Sequence, residues 1–371
     1  MSSLSSQEKM LEALEFFHYS QKYKDQLFTL VLGSHDFLQS ILTDLRVLES
    51  SHIQVLICCR ANRQLEDRLI HWLPRGYPFD YVRFENNAWQ EAASSSLAHG
   101  RIPLLVFPNG EEKILPPSRF HTEALSAAQA LSSRKVFFLS RRRGLVVDNV
   151  FLSHPSPAEV SRYLSEARKI NIGAEALSFF HQAQKSFGTD MVLLQAKSGI
   201  LFQEVFTHHG AGTLFSIHHQ SICRQAELSD VRDIHLLMTP YIQSKTILPV
   251  SEDEVAAQIT DYHLAVVNGE IVATAKLTDY GEASEIAKLS TLPRFRGRGR
   301  ARELVRIMID VAARQGKKRV FALSVDPKVA FFFRSLGFKE THRRSLPLAW
   351  QAHYDFSRPS RAFVLELGAK A

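Results

Sequence analysis

The stretch LPRFRGRGRA, residues 292–301, holds four arginines and two glycines in ten positions. Three chemistries are open to it: a solvated charged loop, a grip on nucleic acid, or a cradle for phosphate groups. Its context selects among them. It joins an apolar strand pattern to an amphipathic helix pattern running from Arg300 to about Gln315, with Leu304, Val305, Met308 and Ala312 on one face. A helix N-terminus offers unpaired N–H groups and the positive end of its dipole, and both favour a phosphate. Gly297 and Gly299 would let the backbone come close to it. Nucleic-acid binding is disfavoured, because the aromatic and groove-reading features that accompany it are missing. About thirty residues downstream, RSLGF (334–338) ends a short helix pattern that opens at Asp326-Pro327, an N-cap followed by a first-turn proline.

The elements around these residues fall into two sets. A chain of 371 residues exceeds one ordinary core, which makes two domains the expectation. In the first half, LFTLVL (27–32), IQVLIC (53–58), IPLLVF (102–107), KVFFLS (135–140) and MVLLQ (191–195) are continuous apolar runs. Such runs suit strands covered on both faces. Helix-length segments at 36–50, 118–132 and 157–168 separate them, so a doubly wound, mostly parallel α/β sheet is expected. In the second half, HLAVV (263–267), Asn268-Gly269 and EIVATAKL (270–277) read as a hairpin. A third strand at about 284–291, the helix from Arg300 and a strand VFALSV (320–325) complete an α+β pattern. The boundary falls near 212–222, giving domains 1–215 and 216–371.

Composition narrows the setting. Hydrophobic residues make up 45% and charged residues 22%, ordinary for a soluble globular protein. No apolar run is long enough to cross a bilayer, and the N-terminus lacks a secretory pattern. Cys58, Cys59 and Cys223 cannot form a disulfide framework, so a reducing cytoplasm is expected. The net charge of +7 is concentrated from residue 222 onward, with 23 Lys and Arg against 17 Asp and Glu, which directs an anionic ligand to the second half. His208-His209, His218-His219 and Cys223 lack the spacing of a zinc site, and no metal is expected.

With both motifs in view, residues 222–345 resemble the GCN5-related N-acetyltransferases. Arg296-Gly297-Arg298-Gly299-Arg300-Ala301 is similar to the signature that holds the coenzyme A diphosphate in that family. Phe332–Phe338 is similar to its second motif, in which a Tyr often stands at the position of Phe333. Residues 22–215 resemble the amino-acid-kinase fold on HGRIPLLVF (99–107) and ALSSRKVFFLSRRRGLVVDN (130–149). This pairing, joined through GAGTLF (210–215), resembles the bacterial N-acetylglutamate synthases, which open arginine biosynthesis. The resemblance implies an acetyl-CoA-dependent amino-acid N-acetyltransferase whose first domain regulates and builds a homo-oligomer, with arginine as effector and neither nucleic acid nor membrane as partner.

The same resemblance assigns residues. YDFSRPSRAF (354–363) is similar to a C-terminal motif whose Arg and Ser bind the substrate carboxylate, here Arg358 and Ser360. Glu285 stands where the family has a carboxylate as base, and Lys288 is open to binding a carboxylate or reaching solvent. An amine must be deprotonated before it attacks a thioester, which is why a base is needed. Backbone N–H groups at Leu289, Ser290 and Thr291 are expected to hold the thioester oxygen and the pantetheine arm. Phe333 removes the usual tyrosine acid, leaving Ser324 as the alternative donor with Tyr354 behind it. Departures are plain as well. LVLGSHD (30–36), LICCRAN (56–62) and INIGAEA (170–176) lack the glycine turns and lysines that phosphoryl transfer needs, so no kinase activity is expected. Val250 stands where those synthases carry an arginine that helps bind glutamate. Two other functions stay open: acetylation of a different amino acid or amine, and a non-catalytic acetyl-CoA or amino-acid sensor.

Overall fold

The apolar runs of the first half become strands because both of their faces are covered. The computed structural model describes residues 6–34, 36–61, 78–85, 88–108, 115–166, 168–216, 222–267, 269–297 and 299–368. The chain divides into two compact units, one made of Glu12–His219 and the other of Gln220–Ala371 together with Met1–Leu11.

In the first unit, strands β1 (Leu27–Leu32), β2 (Gln54–Arg60), β3 (Phe79–Arg83), β4 (Ile102–Phe107), β5 (Lys135–Ser140), β8 (Asp190–Gln195) and β9 (Thr213–Phe215) form one sheet. Its order is β3-β4-β2-β1-β5-β8-β9, and β9 alone runs antiparallel to its neighbour. A small hairpin, β6 (Leu145–Val147) and β7 (Val150–Leu152), stands apart. Side chains alternate across the sheet, so Phe28, Leu30 and Leu32 enter one core while Leu27 and Val31 enter the other. The first core is roofed by helices α1 (Ser6–Lys22), α2 (Asp36–Ser50) and α7 (Ile200–Phe206), through residues such as Tyr19, Ile41 and Leu201. The second is roofed by α3 (Ala88–Ala98), α4 (Arg119–Ala130), α5 (Pro157–Ser165) and α6 (Ala174–Phe187), through Trp89, Leu125, Val160 and Phe180. This is the expected doubly wound arrangement. Cys58 and Cys59, adjacent on β2, fall into opposite cores, and burial pushes the Cys59 thiol up to about 12. His208 lies buried with its Nδ1 3.1 Å from Glu15 Oε1, while His218 and His219 lie outside the described residues.

The second unit holds β10 (Ile222–Gln225), β11 (Tyr262–Val267), β12 (Glu270–Tyr280), β13 (Ala283–Thr291), β14 (Arg319–Ser324), β15 (Lys339–Thr341) and β16 (Arg361–Glu366), in the order β10-β11-β12-β13-β14-β16-β15. Every neighbouring pair is antiparallel except β13 with β14. Asn268, read as part of the hairpin turn, lies outside the described residues. Helices α8 (Val231–Gln243) and α10 (Arg300–Arg314) bury Ile234, Leu237, Leu304, Val305 and Met308 in one core. A smaller cluster around Phe321, Ala362 and Trp350, the last from α12 (Leu348–Gln351), covers the opposite face. Two short helices, α9 (Glu252–Ala257) and α11 (Pro327–Arg334), open on caps: Ser251 in a capping box, and Asp326 accepting from the Lys328 N–H at 2.8 Å.

The feature that makes a site is where pairing stops. β13 is registered against β14 from Ala283↔Arg319 to Glu285↔Phe321 and no further. Beyond that point each strand follows its outer neighbour, β13 to Ala273↔Thr291 on β12 and β14 to Ser324↔Arg361 on β16. A bulge in β13 between its pairings with Thr274 and Lys276 adds a residue there, and Lys288 adopts a φ of 55°.

The close approach of β9 to β8 yields a stability test. A Cβ added at Gly212 would collide with the Leu193 carbonyl oxygen and the Leu194 side chain. Because one of these is sheet backbone, relief requires the strands to part. Gly212→Ala is expected to lower unfolding stability by about 2–3 kcal/mol, read from urea denaturation.

Candidate active site

A cavity of about 1180 Å³ lies in the second unit, where β13 and β14 separate. Its wall collects Glu285, Lys288, Leu289 and Thr291 from β13, Arg296, Gly297 and Gly299 from the loop, and Arg300 and Ala301 from the start of α10. Ser324, Arg358 and Ser360 complete the other side. Ser290, expected to act through its backbone N–H, keeps its side chain buried, with the hydroxyl donating to the Lys288 carbonyl at 3.2 Å. Arg298 lies outside the described residues.

At the loop, Gly297 and Gly299 have φ of 74° and 79°, and a Cβ at either would meet nothing within 4 Å. The backbone there is therefore both glycine-dependent and bordered by open space. Gly299 caps the 15-residue α10 without any side-chain hydrogen bond, so the start of that helix presents its backbone and the positive end of its dipole to the cavity. The neighbouring arginines are engaged with protein. Arg296 Nε donates to the Tyr241 hydroxyl at 3.2 Å, Arg300 Nη1 lies 3.5 Å from Glu303, and Arg302 donates to the Ser335 carbonyl and hydroxyl at 3.2 and 2.8 Å. An anion here would be met by amides and a helix dipole, with the guanidinium groups adding charge from behind.

The other end is a charged pocket. Glu285 sits in the wall, where burial raises its carboxyl to about 7 against the opposing pull of the Trp350 and Tyr280 hydrogen bonds and of Lys276 and Lys288. That value suits a group that must take up and release a proton near neutrality. Burial, with the like charges of Lys276 and Arg358, lowers Lys288 to about 8. Lys288 Nζ donates to the Leu248 carbonyl at 2.7 Å, and Arg358 Nη2 to the carbonyls of Lys245 and Thr246 at 3.0 Å each. Ser360 shares a 2.6 Å hydrogen bond with the Tyr354 hydroxyl, and Tyr354 stacks on Trp350 with centroids 4.3 Å apart. Tyr354 is thus bound to Ser360 and not to Ser324, whose hydroxyl sits in a turn accepting from the Asp326 N–H at 3.0 Å. Phe333 is buried, with its ring 5.2 Å from that of Phe338 and 5.8 Å from that of Phe363, and it offers the cavity no hydroxyl. Val250 packs against the core, and its carbonyl lies 3.1 Å from His235 Nε2.

Trp350, Tyr280, Lys276 and Tyr241 were not singled out from the sequence. Tyr280 and Lys276 lie on the same strand as Leu277, facing the partner strand that carries Glu285, so the hairpin register pointed toward them. Trp350 and Tyr241 arrive from helices distant in sequence, and nothing local marked them. Among the described residues no group of three or more His, Cys, Asp or Glu could hold a metal ion, and no helix is long and apolar enough to cross a membrane.

Comparison with known proteins agrees with this geometry. Residues 228–338 match the model of the Acetyltransferase (GNAT) family. The chain is 28% identical over 248 residues to an amino-acid acetyltransferase of Pseudomonas fluorescens (strain Pf0-1), covering 66% of this chain and 57% of that protein. It is 26% identical over 276 residues to an amino-acid acetyltransferase of Pasteurella multocida (strain Pm70), covering 72% and 62%. The chain therefore spans about three fifths of the length of these relatives. Its fold is shared with N-acetylglutamate synthase from Neisseria gonorrhoeae, solved with coenzyme A and L-arginine, at a TM-score of 0.60, 18% identity and coverage of 96% and 99%. The resemblance read from the two motifs thus holds for both the acetyltransferase domain and the two-part fold.

The hydrogen bond from Trp350 stabilises the ionised form of Glu285. Trp350→Phe is expected to move the Glu285 titration upward from about 7, as followed by carboxyl NMR of the labelled protein.

Proposed function

We propose that this protein is an N-acetylglutamate synthase-like N-acetyltransferase, which moves an acetyl group from acetyl-CoA to the amine of a free amino acid. One observation carries the reading. A single cavity joins an uncapped helix N-terminus and an open strand edge to a carboxyl near 7 and a set of cations. No metal takes part in it.

The residues divide the work. The amides at Gly299–Ala301 meet the diphosphate, and the edge of β13 near Leu289 holds the pantetheine arm and the thioester oxygen. Thr291 is not free for this, because its N–H already donates to Tyr241 at 2.9 Å. Glu285 takes a proton from the acceptor ammonium, directly or through water, and the freed nitrogen bonds to the thioester carbon. The carbon–sulfur bond then breaks as the nitrogen gives up its second proton, which the departing thiolate takes up directly or through water. A thiol pKa of about 8.5 makes the departing thiolate stable enough to leave without a strong acid, with Ser324 as the alternative donor. Arg358 and Ser360 hold the α-carboxylate, and a guanidinium suits that task.

Lys288 supplies the charge for a side-chain carboxylate, which favours glutamate. A second reading, a smaller or uncharged amino acid, draws on the packing of Val250 into the core, where it brings no charge. The first unit, residues 1–215 in this reading, regulates and forms a homo-oligomer with arginine as effector. Support for the effector comes from the L-arginine in the neisserial structure. Within this reading the enzyme works in the cytoplasm, at the first step of arginine biosynthesis.

Thiol release from acetyl-CoA over a panel of amino acids tests the assignment. Arg358→Ala is expected to lower kcat/KM for the best acceptor by roughly two orders of magnitude, and equal turnover by the variant would remove the carboxylate role. The pH profile has a definite sign. Activity needs Glu285 ionised, so it rises with pH through about 7; it needs Lys288 charged, so it falls above about 8. Because the two groups are coupled, these limbs belong to the pair. Glu285→Gln is expected to abolish the rising limb and to lower kcat by about 10²–10⁴.

A further inference from the structure

The C-terminal half of β13 has a sheet neighbour on one side only, since its pairing with β14 ends at Glu285. At Thr291, the last residue of the strand, a side chain from α8 stands where another strand would lie. The Thr291 N–H donates to the Tyr241 hydroxyl at 2.9 Å, and that hydroxyl donates to the Thr291 carbonyl at 2.6 Å. Arg296 Nε donates to the same oxygen at 3.2 Å, and its guanidinium lies 5.0 Å from the centre of the Tyr241 ring. A phenol has one proton and two acceptor lone pairs, so the hydroxyl's capacity is fully used. Its partners bracket the turn from Thr291 to Arg296 that leads into Gly297 and Gly299. The tyrosine is itself anchored, because its carbonyl accepts from the N–H groups of Thr246 and Ile247 at 2.9 and 3.1 Å. It also lines the cavity and is not sealed in the core.

We propose that Tyr241 is a positioning residue of the coenzyme site, fixing Thr291 relative to Arg296 and so setting where the amides at the start of α10 lie. This rests on the coenzyme A reading above. A residue with that role governs binding of the acyl donor and leaves the acceptor pocket alone, since Arg358 bonds to Lys245 and Thr246, Ser360 to Tyr354, and Glu285 to Trp350 and Tyr280. Removing the hydroxyl keeps the ring beneath Arg296 but releases both backbone groups of Thr291.

Full-length Tyr241→Phe, titrated calorimetrically with coenzyme A and assayed for acetyl transfer, tests this. The expected result is a rise of about tenfold in the coenzyme A Kd and in the KM for acetyl-CoA. At saturating acetyl-CoA, kcat and the acceptor KM should stay within about twofold of the parent. Arg296→Met is expected to weaken coenzyme A as well. The double variant should lose less than the product of the two single losses, because both residues act through one contact. An unchanged Kd in Tyr241→Phe overturns the proposal. So does a comparable rise in both KM values together with a lowered Tm, which marks a general structural role. A parent protein that binds no coenzyme A overturns the reading of the site itself, an outcome visible before any variant is made.

Discussion

Two central strands of the second sheet part company after Glu285 and Phe321, and the site follows from that separation. Backbone N–H and C=O groups must be paired or solvated, so a parallel pair that opens within a sheet creates a demand along its inner edges. The outer strands make the opening rigid. β12 keeps hold of β13 through a bulge, and β16 keeps hold of β14 to its last residue. The gap is therefore a fixed cleft whose apex is a carboxyl, Glu285, on the last paired residue of β13. An open strand edge, a helix N-terminus and a buried carboxyl are brought together by one change in register.

Much of the second unit could be read before folding, for local reasons. The strands over residues 263–277 and the helix from Arg300 carry strong periodicity, and Asp326-Pro327 is a cap signal that the structure uses directly. The cavity wall also collects Glu285, Lys288, Ser324, Arg358 and Ser360, which come from three separate stretches of the sequence. What could not be read was contact across the fold. The stacking of Tyr354 on Trp350, the hydrogen bond from Tyr354 to Ser360 and the hold of Tyr241 on Thr291 depend on how helices meet strands.

The first unit was legible where its strands are fully covered and not where they are half exposed. β1 and β4 are buried at every position and match the apolar runs residue for residue. β3, at the sheet edge, is buried only at Phe79 and Val82 and reads too polar to stand out, and the β6–β7 hairpin is only three residues a side. The segment INIGAEA was read for a missing lysine, and its second half opens α6. The adjacent cysteines follow the same logic of covered faces: on a strand with a core on each side, neighbours can both be buried without touching the same residues.

The donors of Arg358 and Lys288 already have partners, the carbonyls of Lys245, Thr246 and Leu248. Under the proposed function these same cations receive the acceptor. A guanidinium carries five N–H groups and an ammonium three, so donors remain for a ligand oxygen without any of these bonds breaking. The segment 245–248 then acts as a rest that aims both cations before a ligand arrives, which lowers the ordering cost of binding.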